Sequence, residues 1–363
     1  MELYFLILVL GYIIQCFIYI IGVRKKFQQS SFVRIPTVTV IVAARNEEKN
    51  ILRTLQSLEK LEYPDNKLEI IIVDDNSTDS TGQIIDLFIA EKIMFKKIYT
   101  GNSQKRNLVG KANALAIAIE LARGDVILTT DADIVVKPTW VKTIASYYSE
   151  NVGIVNGFTS QEATSFWGAI QAIDFMYLQT VASSTINLGF PVSCIGNNMS
   201  FRKKAYEEVG GFENLPFSVT EDLNLMMAIH SLKKYKIIYP LNSLAMNLSL
   251  PCPNLLSLIR QKKRWGKGGL QVFWRGSFVF LVGYLSNLFI VLTPIFFSKT
   301  WLILVGIKLI IDLLILWPTH KEFSLIKNLN YFLLFEFYLI IYVLILPFIV
   351  LPSRKVFWKE RKL

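Results

Sequence analysis

Long apolar runs stand at both ends of the chain, and a mixed pattern of apolar and polar positions fills the middle. Residues 3–23 carry no charge, and about 21 residues of helix match the roughly 30 Å hydrocarbon thickness of a bilayer. No cleavage signal follows the run, and the next charged residues are basic. They are Arg24, Lys25, Lys26 and Arg34. The pattern predicts an uncleaved membrane anchor followed by a cytoplasmic domain.

Three more apolar runs lie near the C-terminus, at 277–297, 301–317 and 331–351. The second run contains Lys308 and Asp312, which are four apart and would pair on one helix face within lipid. The third run contains Glu336. The last residues include Arg354, Lys355, Lys359, Arg361 and Lys362. This basic tail favours the cytoplasmic side, whereas four spans would place the C-terminus outside. In the alternative topology, one of the apolar runs is re-entrant or lies in the membrane interface. About four membrane segments are predicted.

Between about residues 36 and 250, apolar β-branched runs alternate with helical patterns. The predicted strands are 37–43, 68–73, 96–100, 126–130 and 152–156. The predicted helices are 47–60, 80–91, 111–123, 138–149 and 166–182. This alternation predicts an α/β fold, in which a mostly parallel sheet is covered on both faces. Ligands of such sheets bind beyond the carboxyl ends of the strands.

The pattern divides the chain into five segments. They are an N-terminal transmembrane anchor (1–23), a cytoplasmic α/β domain (24–253), an amphipathic interfacial helix (254–276), a C-terminal membrane region (277–351) and a basic tail (352–363). Hydrophobic residues make up 52% of the chain and charged residues 18%, which excludes a disordered chain and argues against a purely soluble enzyme. The formal charge of +11 suits anionic lipids or nucleotides. Because the basic residues flank apolar runs, no nucleic-acid partner is predicted.

Carboxylates follow two of the predicted strands. Asp74 and Asp75 follow the second strand, and Asp131 and Asp133 follow the fourth. Side chains two apart in an extended segment point the same way, so Asp131 and Asp133 converge, and their repulsion favours a bound cation. Mg²⁺ or Mn²⁺ combines carboxylate oxygens with substrate phosphates. The alternative is that these acids form ordinary turns and helix caps, which is the better interpretation for Asp79.

Six short motifs occur in a fixed order within residues 36–270. They are Ala44-Arg45-Asn46-Glu47-Glu48, VDDNSTD, GKANAL, TTDAD, Thr220-Glu221-Asp222 and QKKRW at 261–265. In this order and spacing they resemble membrane-bound glycosyltransferase family 2, which includes chitin, cellulose and hyaluronan synthase-like enzymes and ceramide glucosyltransferase-like enzymes. The resemblance implies a GT-A fold and the inverting transfer of a sugar from a nucleotide donor, usually UDP-linked.

The resemblance also implies a role for each matching residue. The implied nucleotide-sugar-binding residues are Asn46, Glu47, Asp74, Asp75, Lys111, Asp131, Asp133, Gln261, Arg264 and Trp265. The implied metal ligands are Asp131 and Asp133. The implied catalytic residues are Asp222 as general base, its neighbour Glu221, and Arg264, which would stabilise the departing UDP. The implied acceptor-binding residues are Cys194, Gly196, Asn197, Asn198 and Trp265.

Plainer interpretations exist for the later motifs. Thr220 is a good N-cap and acids are favoured in a first helical turn, although the same dipole keeps Asp222 ionised, as a base requires. The helix at 254–265 is basic and would bind anionic lipid whatever the catalysis. In the combined interpretation, Gln261, Arg264 and Trp265 face inward, whereas Lys262, Lys263 and Lys267 face the lipid headgroups. Asparagine is common in turns, and Cys194 is more typical of packing than of a nucleophile.

These observations predict an integral enzyme of the cell membrane that transfers a sugar from UDP-hexose or UDP-N-acetylhexosamine to a lipid hydroxyl. Polysaccharide synthesis is the alternative, because QxxRW is typical of polymer-building members, but about four spans make a narrow channel. Family members often carry an acidic residue shortly before the proline upstream of QxxRW. No acid precedes Pro251 here, which weakens the assignment of the acceptor. In a non-catalytic scaffold the acidic motifs would not be maintained, whereas all of them are present in this sequence. A nucleotidyltransferase would normally carry a Gly-rich basic loop after the first strand. The residues Ala44-Arg45-Asn46-Glu47-Glu48 stand there instead, which disfavours that function.

Overall fold

The computed structural model describes residues 1–29, 35–101, 103, 108–269, 274–352, 357–358 and 361–362, and at 274–279, 357–358 and 361–362 it describes the backbone alone. The chain forms two compact units. The sheet unit contains Lys26–Ser160, Cys194–Leu250 and Phe357–Leu363. The helical unit contains Met1–Lys25, Gln161–Ser193 and Pro251–Val356.

The described secondary structure follows the predicted alternation, with additional short strands. The strands are β1 (Val38–Ala44), β2 (Leu68–Asp74), β3 (Phe95–Tyr99), β4 (Val126–Asp131), β5 (Val152–Asn156), β6 (Thr159–Gln161), β7 (Met199–Arg202), β8 (Lys236–Ile238), β9 (Asn247–Ser249), β10 (Phe357–Trp358) and β11 (Arg361–Lys362). The α-helices are α1 (Glu2–Val23), α2 (Ile51–Leu58), α3 (Thr81–Ile89), α4 (Lys111–Leu121), α5 (Trp140–Ala145), α6 (Phe166–Asn187), α7 (Lys203–Glu208), α8 (Glu221–Ser231), α9 (Leu255–Gly269), α10 (Trp274–Val291), α11 (Lys299–Glu322) and α12 (Phe332–Val350).

Seven strands of the sheet unit form one sheet in the order β3-β2-β1-β4-β7-β5-β8. β1 pairs in parallel with β2 and β4, and its register sets Ala44 opposite Asp74 and Ala43 opposite Asp131. The carboxyl ends of β2 and β4 therefore lie at the same edge, on either side of β1. This arrangement confirms the predicted α/β fold and brings the two acidic strand ends to one edge of the sheet.

All five predicted strands occur, each within one residue of its predicted ends. The sequence analysis did not predict β6, β7, β8 or β9. Each of these has only three or four residues, which is too short for a period of two to be recognised. β7 also runs antiparallel between β4 and β5, so the alternation of strands and helices along the sequence does not predict it.

The central strands are buried on both faces. Val40 and Val42 of β1 point to one face with Ile70 of β2, and Ile41 and Ile71 point to the other, and all five are fully buried. Each such side chain contributes about 1.5–3 kcal/mol relative to an exposed one. This double-sided core explains the continuous apolar runs in the sequence. It also gives the loops at the carboxyl edge a rigid base.

The helical unit contains the apolar helices. Among the described residues, three helical segments are long and apolar enough to cross a membrane: Glu2–Val23, Lys299–Glu322 and Ile326–Val350. The sequence predicted about four. The remaining run forms α10, which ends at Val291, and the apolar stretch with described side chains, Phe280–Val291, is shorter than a span.

Helix α6 belongs to the helical unit, whereas the sequence analysis placed it in the cytoplasmic domain at 24–253. Its side chains bond α1: Ser184 Oγ donates to the Tyr19 carbonyl at 2.6 Å, and Asn187 Nδ2 donates to the Gly22 carbonyl at 3.0 Å. A Cβ at Gly22 would lie 2.6 Å from the Ser184 carbonyl oxygen, so this close approach requires glycine. The polar residues that make these contacts gave α6 the composition of a soluble helix.

Lys308 of α11 is the centre of a buried charge cluster. Its Nζ lies 2.5 Å from Asp312 Oδ2 and 2.9 Å from Glu336 Oε2, and it donates to Asn287 Oδ1 at 3.1 Å. The three charged side chains are at most 3% exposed, and Tyr12 of α1 donates its hydroxyl to Asp312. The predicted pairing of Lys308 with Asp312 is confirmed, and Glu336 joins it. We call Lys308, Asp312 and Glu336 the buried lysine cluster.

The basic flanks on which the predicted orientation depends lie partly outside the described residues. Those outside are Arg34, Arg354, Lys355 and Lys359. Arg361 and Lys362 form β11, which pairs antiparallel with β10, and only their backbone is described. The side of the membrane on which each unit lies therefore stays a prediction.

Candidate active site

The loops after β1 and β2 interlock at the carboxyl edge of the sheet. The Arg45 guanidinium donates to the carbonyls of Asp75 and Asn76 at 2.6 and 2.9 Å. Asn46, whose φ is +50°, accepts the Thr78 N–H on Oδ1 at 2.9 Å. The Glu47 N–H donates to Thr81 Oγ1 at 2.8 Å. These bonds fix the two loops together, and Arg45 is a structural member of the site that the sequence analysis did not select.

The two acids after β2 are both buried, and hydrogen bonds hold them in different ways. Asp74 Oδ1 accepts the Ser77 N–H at 3.0 Å, which is the turn role that the alternative interpretation proposed. Asp75 Oδ1 accepts from Thr100 Oγ1 at 3.3 Å, and its N–H donates to the Ala44 carbonyl at 2.8 Å. Asp75 is therefore anchored against β1 and the end of β3, at the carboxyl edge of the sheet.

Asp79 was predicted to be the N-cap of the next helix; Ser80 holds that position, and Asp79 bonds the start of the helix from one residue earlier. Its Oδ1 accepts the N–H of Thr81, the first residue of α3, at 3.0 Å, and its Oδ2 accepts the Glu48 N–H at 3.2 Å. Although partial burial opposes ionisation, these hydrogen bonds favour the carboxylate and lower the pKa of Asp79. Asp79 therefore ties the start of α3 to the loop after β1.

Lys111, the first residue of α4, bridges the end of β4 and the start of α8. Its Nζ lies 2.6 Å from Asp131 Oδ1 and 3.3 Å from Glu221 Oε1, and the three side chains are 17%, 38% and 16% exposed. Burial alone would lower the pKa of Lys111, but Asp131, Glu221 and Asp222 outweigh it and raise that pKa. We call Lys111, Asp131 and Glu221 the open lysine cluster. It brings together residues that are far apart in the sequence.

Asp222 lies in the first turn of α8, beside the open lysine cluster. Its Oδ1 accepts the Leu223 N–H at 2.8 Å. A Cβ at Gly196 would lie 2.9 Å from Asp222 Oδ2, so glycine permits the acid to approach this backbone closely. The side chain of Thr220 makes no capping hydrogen bond to α8, contrary to the plainer interpretation of this motif.

A small pocket joins these groups. Its polar lining comes from Lys111, Thr129, Gly196, Glu221 and Asp222. Its apolar lining comes from Leu115, Met199, Phe201, Phe212 and Leu225. The pocket therefore places a cation, two carboxylates and a glycine backbone around one small space at the sheet edge.

The loop before β7 is held by hydroxyls that the sequence analysis missed. Thr129 Oγ1 donates to the Gly196 carbonyl at 3.0 Å, and Thr130 Oγ1 donates to the Asn197 carbonyl at 2.9 Å. Asn197 accepts on Oδ1 from Thr159 Oγ1 at 2.8 Å. The two threonines directly precede Asp131 in β4, so the same strand end positions the acid and the loop. Paired threonines in an otherwise apolar strand were the available signal.

Asn198 has a structural role, and the acceptor-binding hypothesis for it is not carried forward. Its side chain is 1% exposed. It accepts from Trp140 Nε1 at 2.9 Å and donates to the carbonyls of Phe158 and Ala245 at 2.7 and 3.0 Å. All three partners belong to the protein, and both amide hydrogens are used. Asn198 ties β7 to its surroundings and has no donor left for a sugar.

Cys194 is buried beside the acids of α8. Burial, together with the charges of Asp222 and Glu221, raises the pKa of its thiol well above the ordinary value. A thiol in this environment stays protonated and is a poor nucleophile. The environment therefore agrees with the packing role that the sequence analysis favoured over nucleophilic attack.

The QKKRW motif forms part of α9 in the helical unit, as the sequence predicted. Gln261, Arg264 and Trp265 are half-buried residues of this helix. Trp265 stacks on Phe175 of α6, with ring centroids 5.6 Å apart and planes inclined by 15°. One face of the indole is therefore occupied by a protein ring.

The prediction that Lys262 faces the lipid headgroups is wrong. Its side chain is 3% exposed and forms an ion pair with Asp174 of α6. The lysine is buried because a carboxylate lies within the helical unit to receive it. The sequence analysis missed Asp174, although a lone acid in the apolar first half of α6 was a visible signal.

A divalent cation would need more than the two strand-end acids. Asp131 ends β4, and Asp133 follows two residues later and is half-buried. Within the described residues, no group of three or more His, Cys, Asp or Glu side chains is arranged to hold a metal. In the structure, Asp131 is paired with the Lys111 ammonium, at 2.6 Å from Nζ to Oδ1. The chemistry of Asp131 and Asp133 suits a Mg²⁺ or Mn²⁺ ion, which takes a few carboxylate oxygens and would fill its other positions with phosphate oxygens.

Comparison with known proteins gives the chain a family. The profile of Glycosyl transferase family 2 matches residues 39–210, and that of Glycosyl transferase family group 2 matches residues 126–351. The chain is 31% identical over 256 residues to a beta-monoglucosyldiacylglycerol synthase of Synechocystis sp., covering 68% of this chain and 51% of the relative. It is 31% identical over 277 residues to a poly-beta-1,6-N-acetyl-D-glucosamine synthase of Staphylococcus aureus, covering 74% and 63%.

The chain thus spans about half to two-thirds of the length of these relatives. Among solved structures, it resembles a mannosyltransferase from Pyrobaculum calidifontis in complex with GDP-Man and Mn²⁺. The TM-score is 0.60 at 16% identity, and the alignment covers 92% of this chain and 96% of that one. At this identity the likeness establishes the fold. The family matches show that the chain belongs to glycosyltransferase family 2, and the likeness to the solved structure gives it a GT-A fold.

Proposed function

We propose that this enzyme transfers a hexose or N-acetylhexosamine from a UDP-linked donor to a hydroxyl of a membrane lipid, with inversion at the anomeric carbon. The observation that carries the proposal is the pocket shared by Lys111, Gly196, Glu221 and Asp222, beside Asp131 at the carboxyl edge of the sheet. That edge is where open α/β sheets bind their ligands.

Asp222 is the proposed general base. In the reaction the acceptor oxygen forms a bond to the anomeric carbon, the bond from that carbon to the diphosphate oxygen breaks, and the hydroxyl proton passes to the carboxylate of Asp222. A base must be ionised and within reach of the proton. The first turn of α8 favours an ionised acid through the helix dipole, and the pocket gives this acid access to a ligand. Glu221 is proposed to hold Lys111 in place.

The donor is proposed to bind along the acidic edge. Asp74 and Asp75, with Asn46 and Glu47, are proposed to recognise the uridine. Lys111 is proposed to move its ammonium from Asp131 to the donor diphosphate. Asp131 and Asp133 would hold a divalent cation, which neutralises charge on the diphosphate when it is bound. The mannosyltransferase with the similar fold was solved with Mn²⁺, which supports this part of the proposal.

For Gln261, Arg264 and Trp265, support comes from the motif alone. Arg264 would grip the departing diphosphate, because a guanidinium matches phosphate oxygens with two donors. Gly196 lines the pocket, and we propose that Gly196, Asn197 and Cys194 contact the hydroxyl-bearing group of the acceptor. We also propose that the sheet unit lies on the cytoplasmic side of the cell membrane, where nucleotide sugars are made.

Two relatives favour different acceptors. A lipid acceptor is supported by the likeness to the glucosyldiacylglycerol synthase and by the three apolar segments. Polysaccharide extension is the second candidate, supported by the likeness to the poly-N-acetylglucosamine synthase. The lipid is preferred because the three candidate spans found among the described residues would by themselves form only a narrow bundle.

A product analysis tests the proposal. The purified chain in lipid nanodiscs is incubated with Mn²⁺, a panel of UDP-sugars and membrane lipid extract, and the products are identified by mass spectrometry. We expect UDP release that depends on lipid and a product one sugar heavier than the lipid. Asp131→Asn should abolish it, whereas Asp65→Asn, an exposed acid in the same unit, should not. A growing water-soluble polymer would favour the second candidate, and no UDP release from any donor would contradict both.

A further inference from the structure

The second residue of the QKKRW motif makes one of the most deeply buried ion pairs among the described residues. Lys262 Nζ contacts Asp174 Oδ2, and both side chains are 3% exposed. Tyr338 of α12 donates its hydroxyl to the same carboxylate oxygen at 3.3 Å. The pair therefore joins three helices, α9, α6 and α12, at a single point within the helical unit.

Aromatic rings surround the ammonium group. Lys262 Nζ lies 4.6 Å from the centroid of the Tyr342 ring and 5.1 Å from that of Trp265. Tyr338 and Tyr342 stack on each other with their planes inclined by 7°. Cations are attracted to the faces of such rings, and the attraction strengthens where water is excluded. Lys262 is thus held by a carboxylate and by two rings, one of which belongs to the motif itself.

Such a contact fixes the rotation of a helix. Successive residues of an α-helix are about 100° apart around its axis, so anchoring Lys262 sets the directions of Gln261, Arg264 and Trp265 together. Rotation of the helix away from this contact is opposed because breaking the pair would leave an uncompensated buried charge. The stacking of Trp265 on Phe175, the residue that follows Asp174 in α6, adds a second fixed point one turn further along α9.

We propose that Asp174 and Lys262 are positioning residues of the transferase. Their ion pair sets the rotation of α9 and so the directions of Gln261, Arg264 and Trp265. The inference rests on the proposed function of those three side chains, but neither Asp174 nor Lys262 needs to touch the donor. The alternative is that the pair only stabilises the fold.

The two roles are separated by neutralising both partners. Asp174→Asn or Lys262→Met alone leaves a buried charge without its partner and should lower the melting temperature of the chain in nanodiscs. The double variant Asp174→Asn/Lys262→Met removes both charges, so its melting temperature should recover. Its kcat should stay about 10²-fold low, because displacements of about 1 Å cost that much. Lys262→Arg, which keeps the pair, should retain kcat within a few fold.

A spectroscopic readout makes the test independent of turnover. The emission of Trp265 is taken as the difference between each chain and the same chain with Trp265→Phe, and its quenching by acrylamide is measured. The double variant should expose Trp265 to the quencher, because α9 is free to rotate. A matched control is the exposed pair Lys234–Glu208, with 2.6 Å between Nζ and Oε1, where Lys234→Met/Glu208→Gln should change neither quenching nor kcat.

The outcomes separate this inference from the proposed function. If the double variant is stable and turns over at the wild-type rate, or if its quenching is unchanged, the positioning role is wrong. If the wild-type chain releases no UDP from any donor while the double variant exposes Trp265, the proposed function fails and the positioning of the helix stands.

Discussion

The two units of this enzyme each contain a lysine between two carboxylates, but in different surroundings. In the open cluster, Lys111 lies between Asp131 and Glu221, and these side chains are 16% to 38% exposed. In the buried cluster, Lys308 lies between Asp312 and Glu336, and exposure is at most 3%. The same chemical groups therefore serve different ends. The first cluster is partly exposed, so we expect its partners to be exchangeable, whereas the second is buried among apolar helices.

The difference in solvent exposure distinguishes a candidate functional site from a purely structural ion pair. A charge that no solvent reaches must keep its partner, because an unpaired ion in a low-dielectric interior costs several kcal/mol. A partly exposed pair contributes little to stability and is free to exchange one partner for a substrate phosphate. We therefore expect substitutions in the buried cluster to change stability and substitutions in the open cluster to change activity.

The largest effect is expected from Lys308→Met. It leaves Asp312 and Glu336 buried without their cation and should lower the free energy of unfolding by about 3–5 kcal/mol. Chemical unfolding in detergent micelles measures this loss. The triple variant Lys308→Met/Asp312→Asn/Glu336→Gln has no buried charge and should recover most of it. Equal stability of Lys308→Met and the wild type would show that the cluster is not what holds these helices.

Gly196→Ala should have the next largest effect, in the sheet unit. The added methyl would lie 2.9 Å from Asp222 Oδ2 and must displace the proposed base. A displacement of about 1 Å lowers kcat by about 10²-fold, measured as UDP release. The melting temperature should change little, because the atom that the new methyl group meets most closely is the end of the Asp222 side chain and not backbone. Gly283→Ala, where no atom lies within 4 Å of the new Cβ, is the matched control. Full activity of Gly196→Ala would contradict the placement of Asp222.

Lys111→Met sharpens the comparison directly, because it removes the lysine of the open cluster. Loss of a charged hydrogen-bond donor to the diphosphate should lower kcat/KM for the UDP-sugar by roughly 10- to 100-fold, given about 1.5–3 kcal/mol for such a bond. The free energy of unfolding should change by less than about 1 kcal/mol. Lys142→Met, an exposed lysine of the same unit, should change neither quantity. A severe loss of stability would contradict this expectation and mean that Lys111 has a structural role, as Lys308 has.

The smallest effect is expected from pH. Because the neighbouring acids raise the pKa of Lys111, its contribution to stability is fully present below the ordinary lysine value of about 10.4 and is lost only as pH rises through the raised value. Lys111 therefore stays charged between pH 6 and 9. The pH profiles of kcat/KM for the wild type and for Lys111→Arg should have the same shape over this range. A difference in shape would mean that Lys111 titrates there.

The sequence predicted the parts of the fold that depend on local pattern. β1 to β5 and the acids at the ends of β2 and β4 were recognisable because buried strands are continuous apolar runs and turns follow them directly. The pairing of Lys308 with Asp312 was recognisable because it spans one helical turn. The order of the motifs indicated the family. In the structure, the register of β1 with β2 and β4 brings Asp74 and Asp131 to one edge of the sheet.

What the sequence did not predict depends on partners that are distant along the chain. Lys262 looked like a lipid-facing lysine because its carboxylate, Asp174, is 88 residues away. Asn198 looked like a sugar ligand, because nothing local reveals that Trp140 and two carbonyls occupy its amide. β7 has too few residues for a pattern, and its place depends on strands on either side of it.

The most direct test of the account is the turnover of Asp222→Asn. With UDP-sugar, Mn²⁺ and lipid extract, loss of a general base should lower UDP release by about 10²–10⁴-fold. The dissociation constant for UDP and the melting temperature should stay at their wild-type values, because the amide keeps the shape of the acid. Wild-type turnover by Asp222→Asn would contradict the central claim that this acid, in the pocket with Lys111 and Gly196, accepts the proton of the acceptor hydroxyl.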